Sequence, residues 1–136
     1  EVADALKTDT SAWKNTARLI TANEVAKITK HPTFDATQSE QSWFCLDTNQ
    51  PDSTNWCSKA QGASRYTWLF DYTSVCTDFG CNISDSSNFG YWTSSPYKDN
   101  STHAWHVNRT GDLSYNDVAN TGNGVRPVIT ISKSKI

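Results

Sequence analysis

The sequence predicts an α+β fold: a short antiparallel sheet, one or two helices and long irregular loops. Three observations carry this. The last third of the chain alternates apolar and polar residues with period two, the mark of half-buried strands. One helix start, at Thr21, has a complete set of capping residues. The stretch between them is rich in turn residues and punctuated by aromatics. At 136 residues the chain is one domain, large enough to bury about two-thirds of its unfolded surface.

Residues 1–16 read as a tether or the end of a longer helix, with weak helical character at Val2, Ala5 and Leu6; residues 17–136 form the single domain. Ala17-Arg18-Leu19-Ile20 is a short strand. Thr21-Ala22-Asn23-Glu24 is a capping box, and the helix it starts places Val25 and Ile28 on one face. That helix stops before His31-Pro32, because the residue preceding proline avoids the α region. From Thr33 to Asn88 aromatic pegs (Phe34, Trp43, Phe44, Trp56, Tyr66, Trp68, Phe70, Tyr72, Phe79) stand among loops. Tyr66 to Tyr72 has strand propensity, with short helical pieces an equal alternative.

The closing third is the most regular. In Ala104 to Asn108, Trp105 and Val107 share one face, with His106 and Asn108 on the other. Thr110-Gly111-Asp112 is a turn, and Leu113 begins the return strand. After Gly122-Asn123-Gly124 the β-branched run Val125 to Ile131 reads as a last strand. Pro127 cannot donate to a ladder, so this strand lies at an edge or carries a bulge. All six glycines read as turn residues. Trp68, Trp92 and Trp105 are expected in the core, and Arg126 is expected to pair a carboxylate or stack on a core Trp.

Composition excludes several classes. A net charge of −2 with no basic stripe argues against nucleic acid, and no apolar run approaches the roughly 20 residues of a membrane span. The chain starts at Glu1 and lacks Met, as a processed or trimmed ectodomain would. Four cysteines, Cys45, Cys57, Cys76 and Cys81, form an even set and point to two disulfides in an oxidising compartment. Three connectivities exist; Cys45–Cys57 with Cys76–Cys81 is preferred because each closes a short polar loop. Their spacings lack a zinc pattern.

The candidate site lies in the gaps of the closing sheet. From Tyr97 to Asn123, 17 of 27 positions are Asn, Asp, His, Ser, Thr or Tyr, more variety than a plain loop needs. The ligand-binding candidates are Tyr97, Asp99 and Asn100 from one loop, and His106, Asn108, Arg109, Asp112 and Ser114 from outward strand positions. Tyr115, Asn116, Asp117, Asn120 and Asn123 follow from the next loop. Together they are expected to form one contiguous polar surface over Trp105, Val107, Leu113 and Val128. Tyr97 and Tyr115 are its aromatic anchors, since tyrosine offers large contact area at low entropy cost.

Catalytic readings are weaker. His103 and His106, with Asp99, Asp112 and Asp117 nearby, could suggest a metal site, but strand alternation puts the two histidines on opposite faces. Ser94, Ser95 or Ser101 with His103 and Asp99 could be written as a triad, yet no strained GxSxG elbow is present. No cofactor, metal or enzymatic activity is expected. Asn82-Ile83-Ser84, Asn100-Ser101-Thr102 and Asn108-Arg109-Thr110 match the glycosylation sequon, as chance allows in so Asn-rich a chain.

Arg18-Leu19-Ile20-Thr21-x-x-Glu24 resembles the helix entry of C-type lectin-like domains of the formylglycine-generating-enzyme type. Gly90 to Ser95, Ala104 to Val107 and Gly124 to Val128 resemble the closing strands of the same group. The likeness runs from about Ala17 to Ile131. It extends to variable proteins diversified by retroelements and to domains behind type IV pilin-like helices. It implies a C-type lectin-like fold and an extracellular, cell-surface or pilus location. The implied partner is a protein or glycan ligand on another cell, a phage or a host surface, with pilin subunits as a further possibility. Two departures limit it. No Cys follows Cys81, where the catalytic members carry reactive cysteines, so formylglycine generation is not implied. The calcium-holding Trp-Asn-Asp element is missing, and Gln50-Pro51-Asp52, a galactose-type tripeptide, lacks that partner.

Asn, Asp, His, Tyr, Ser and Thr are also the residues reached by changing the first two bases of an asparagine codon. Adenine-directed diversification of the gap positions and a merely solvated, Asn-rich surface both account for this spectrum. A structural pilin-like subunit without a dedicated site is the alternative function, and an enzyme on the same fold is the weaker one.

Overall fold

The structure, a computed structural model, describes residues 15–47, 57, 66–70, 90–108, 110–120 and 122–131, together with 4, 7, 8, 11 and 12. Arg109, Cys76, Cys81, Gln50-Pro51-Asp52, the Asn82 sequon and the aromatics Trp56, Tyr72 and Phe79 lie outside the described residues. The described residues form a mixed α+β arrangement whose main sheet is largely antiparallel.

β1 (Arg18–Leu19) leads into α1 (Ala22–Ile28). The expected capping box is present. Glu24 N–H donates to Thr21 Oγ1 at 3.0 Å, and Thr21 N–H donates to Glu24 Oε2 at 2.8 Å. The Arg18 guanidinium clamps the same carboxylate at 2.6 and 2.8 Å. α1 buries Ala22, Val25, Ala26 and then Thr29, a stripe at i, i+3, i+4 and i+7. Ile28 falls off that stripe and is 38 % exposed, correcting its expected place beside Val25. The end of α1 is a Schellman turn. Lys30 takes a left-handed φ of 62°, and the amides of His31 and Lys30 bond back to Ala26 and Lys27, satisfying orphan carbonyls just before Pro32.

Glu24 is held down at about 2 by the Arg18 hydrogen bonds, against some desolvation, and then by Thr21. Its folded pKa lies below its unfolded one, so the stabilisation is full above about 4.5 and is lost as pH falls through about 2. Both partners are more than a third exposed, so screening leaves the contribution near ~1 kcal/mol. Glu24→Gln is expected to lower stability by about that much at neutral pH. It should also flatten the acid limb of the stability curve, read by urea melts from pH 2 to 7. An unchanged acid limb would remove this carboxylate from the account.

β2 (Phe44–Cys45), β3 (Gly90–Pro96), β4 (His103–Asn108), β5 (Asp112–Asp117) and β6 (Asn123–Gly124) make the main sheet, in the order β2-β5-β4-β3-β6. All neighbours are antiparallel except β3 and β6. β7 (Pro127–Val128) pairs with β1 in a separate two-stranded ladder. Of the strand expected from Val125 to Ile131 only Pro127–Val128 forms, the chain leaving the main sheet after Gly124 and joining the second ladder at Pro127. Pro127 sits in that short ladder, where a missing N–H is tolerated.

The Trp-Thr-Ser-Ser run of β3 ties these parts together. Thr93 Oγ1 donates to Trp105 O at 2.8 Å and accepts from Ser95 N–H at 3.2 Å, and the register shifts between Trp92 and Pro96. The bulge turns Ser94 and Ser95 toward α1: Ser94 N–H reaches Ile20 O at 2.9 Å, and Ser95 Oγ accepts from Ala22 N–H at 3.0 Å. These serines dock the helix.

α2 (Thr67–Phe70) is a short helix, the alternative that the sequence left open, over the described part of that run. Phe70 lies against Gly111, whose φ of +85° turns the chain into β5; a Cβ there would meet the ring at 3.1 Å. Arg126 is structural, though with partners other than those expected. It donates to Leu69 O at 2.6 Å and Trp68 O at 2.8 Å and lies over the Tyr91 ring at 5.3 Å. Trp68 itself is 55 % exposed, so the expectation of a core tryptophan is corrected there. Trp105, Val107 and Leu113 are fully buried, and Val128 is half-buried against the core cluster to which they belong. The expected Cys45–Cys57 disulfide is formed.

Candidate functional site

The strand pairing sorts the expected site residues onto two faces. Trp105 is paired with Tyr115 and His103 with Asp117, while His106 is paired with Ser114 and Ala104 with Asn116. Tyr115, Asn116 and Asp117 belong to β5 itself, not to the loop after it. Alternation therefore sets Tyr115 and Asp117 on the Trp105 face and Ser114 and Asn116 on the opposite one. The expected single surface is divided.

At one end of the sheet the pieces converge. Val118 N–H bonds to Thr102 O at 2.9 Å, joining the segment after β5 to the loop between β3 and β4. Tyr97 and Tyr115 stack there at 3.9 Å between centroids, 6° from parallel. Both rings stand edge-on to Trp105, at 5.5 and 5.4 Å. Trp105 is in turn met by Phe34, Phe34 by Phe44, and Phe44 by the His31 ring. His103 lies beside both tyrosines, at 6.4 and 6.2 Å. The anchors are thus half-buried and braced from beneath, not free surface side chains. The Tyr97 hydroxyl is pushed up to about 12, first by its hydrogen bond to Tyr115, with the Asp99 carboxylate adding to it.

Much of the surrounding polarity has a local job. Asn100 Oδ1 accepts from the amide and hydroxyl of Thr102. Asp117 Oδ1 accepts from Ala119 N–H, Asn120 Oδ1 from Gly122 N–H, Asn116 Oδ1 from Asp117 N–H and Asn108 Oδ1 from Thr110 N–H. Asp99 Oδ2 reaches across to Glu40 N–H at 2.7 Å. Most of these are Asx-type bonds that replace backbone partners in tight turns. The expectation that a plain loop would not need so many polar side chains is corrected: these loops use one oxygen from each.

His106 and Asp112 do not join the surface. They are 3 % and 6 % exposed. His106 Nδ1 is 2.8 Å from Asn123 Oδ1, its ring lies 5.8 Å from that of Trp92, and Asp112 is hydrogen-bonded by the Thr110 hydroxyl. Burial lowers the His106 pKa and raises that of Asp112, and each partly offsets the other's shift by charge attraction. The physical reason is β6. It crosses over to run beside β3 and brings Asn123 onto the face where His106 points, so that face is covered at His106. His106 links β4 to β6 through Asn123, while Asp112 is bonded locally by Thr110.

Asp99, Asn100 and Asp117 are exposed, Tyr97, Tyr115 and Asn120 are half-buried, and Asn108, Ser114 and Asn116 are half-buried on the opposite face. His103 is the residue sequence reasoning left out of the binding set; its neighbour relation to both tyrosines follows from the Tyr97 amide bonding to His103 O, which no local pattern reveals. Among the described residues no three His, Cys, Asp or Glu gather as metal ligands. The family described as Domain of unknown function (DUF6273) matches residues 12–133. No curated protein and no solved structure matches the chain.

Proposed function

We propose for this chain, which belongs to the family described as Domain of unknown function (DUF6273), a role as a non-enzymatic, extracellular recognition domain. In this reading its fold is C-type lectin-like, and its ligand is a protein or glycan on another surface. The observation that supports the reading is the Tyr97–Tyr115 stack, braced on Trp105 and flanked by two interlocked polar loops. A rigid aromatic pair presents contact area that loses little entropy on binding, and the Asx-held side chains fix the polar groups around it. The disulfide agrees with an oxidising compartment.

The same Asx bonds favour the second reading, a structural pilin-like subunit, because they account for the polar composition without a ligand. The two are separated by a change that leaves the fold alone. Ser101 is exposed at the tip, and Ser101→Arg is expected to shift stability by less than about 0.5 kcal/mol. On intact target cells and on a glycan array it should reduce binding by about tenfold or more. Wild-type protein that binds neither, or a variant that binds as well as wild type, would remove the tip from the account. Sequencing the locus in related strains adds a second arm: diversification should fall on Asp99, Asn100, Asn116 and Asn120 and spare His106 and Asp112.

A further inference from the structure

Away from the tip, α1, α2 and the last strand enclose a groove of about 480 Å³. Its apolar wall includes Trp68, Ile28 and Ile129, which are 55 %, 38 % and 38 % exposed. The carbonyls of Trp68 and Leu69 are fixed by Arg126, so the backbone that carries the exposed indole is held in place. Tyr91, beneath the Arg126 guanidinium, forms part of the same lining. An exposed tryptophan whose backbone is pinned so firmly is a costly arrangement to keep in water.

The charged groups lining this groove are unequal. Arg18, Lys27 and Arg126 stand against Glu24 alone among the described residues, three positive charges to one negative, a surplus of two. Glu24 is already engaged by Arg18, so it does not neutralise Lys27. Lys27 is exposed on the last turn of α1 and forms no ion pair with a described residue.

We propose that this groove binds a small hydrophobic carboxylate, its apolar body against Trp68, Ile28 and Ile129 and its anionic end toward Lys27. Size favours a small molecule over a protein. The volume falls within the roughly 300–1,000 Å³ of small-ligand sites. A stable protein interface needs about 800 Å² from each partner, more than this handful of apolar side chains supplies. Charge then selects among amphiphiles: a cationic head meets two surplus positive charges, a neutral head gains nothing from them, and a carboxylate is attracted.

The test uses the oxidised domain and three probes of one chain length, decanoate, decanol and decyltrimethylammonium, each below its micellar concentration. Binding is followed by amide chemical shifts and calorimetry. Decanoate is expected to bind about tenfold more tightly than either other probe, with shifts centred on Lys27, Ile28, Leu69 and Ile129. Trp68→Ala should weaken it by about tenfold, and Lys27→Glu should abolish the preference for the anion. Both positions are exposed, so unchanged melting curves are expected and certify the fold. Equal affinity for the three probes, tighter binding of the cation, no binding, or shifts elsewhere would overturn the proposal. So would a Trp68→Ala variant that sediments as a smaller species than wild type, since the groove would then be a self-association face.

Discussion

Gly90→Ala is expected to lose on the order of 4 kcal/mol, enough to leave little folded protein at 37 °C. Gly90 is not in a turn, as its sequence context suggests; it is the first residue of β3 and pairs with Asn108 on one side and Asn123 on the other. Its φ is +146°, a region that only glycine occupies without strain, at about 1–3 kcal/mol for other residues. A Cβ added there would lie 1.9 Å from Val107 O. That neighbour is β4 backbone, so it cannot swing aside as a side chain would. Relief requires β3 and β4 to part where the sheet is widest. Gly124→Ala is the control, since its Cβ would find only Gly90 O, at 3.6 Å, and a change within about 1 kcal/mol is expected. Soluble yield and urea melts of the pair decide it. A Gly90→Ala protein that melts with wild type would mean that this three-strand junction is wrong.

How much of this could be read from residues alone follows the range of each signal. The α1 start was legible because Thr21 and Glu24 are three residues apart and satisfy each other's backbone. The Trp105 and Val107 face was legible because alternation is local. The burial of His106 was not, because period two separates two faces without telling which is wet. What closes the second face near His106 is Asn123, 17 residues away in sequence. Tyr97 and Tyr115 stand out in the sequence as aromatics among polar residues. Their stacking depends on the register that sets Tyr115 beside Trp105, and no composition supplies a register. The Asn and Asp content misled for a different reason. Turn-capping and ligand recognition draw on the same side chains, so only the bonds made by Asn100, Asp117 and Asn120 separate them. Trp68 shows the converse: an apolar side chain expected inside stands at the surface, on a helix where its carbonyl is held by Arg126, 58 residues on.

Trp105→Ala is expected to cost about 3–5 kcal/mol, the range for deleting a buried aromatic whose surroundings collapse only in part. Trp105 is the largest fully buried side chain among the described residues, at 0 % exposure, and rings meet it edge-on from three sides: Phe34, Tyr97 and Tyr115. Its loss would leave the tyrosine stack without a floor, so the tip should loosen together with the core. Trp105→Phe separates the two effects. The smaller ring keeps part of the edge-to-face contacts and discards an indole N–H that is buried without a hydrogen-bond partner. Removing an unsatisfied buried donor recovers some of what the lost volume costs, so a loss of about 1–2 kcal/mol is expected. Urea melts give the stabilities, and near-ultraviolet dichroism with tyrosine ring shifts reports whether Tyr97 and Tyr115 remain stacked. The expected pattern is a stacked pair in Trp105→Phe and a mobile pair in Trp105→Ala, each aromatic contact contributing about 0.5–1.5 kcal/mol to the coupling. A Trp105→Ala protein that loses less than about 1.5 kcal/mol and keeps ordered tyrosines would show that the stack is held by its own loops and not by the core beneath it.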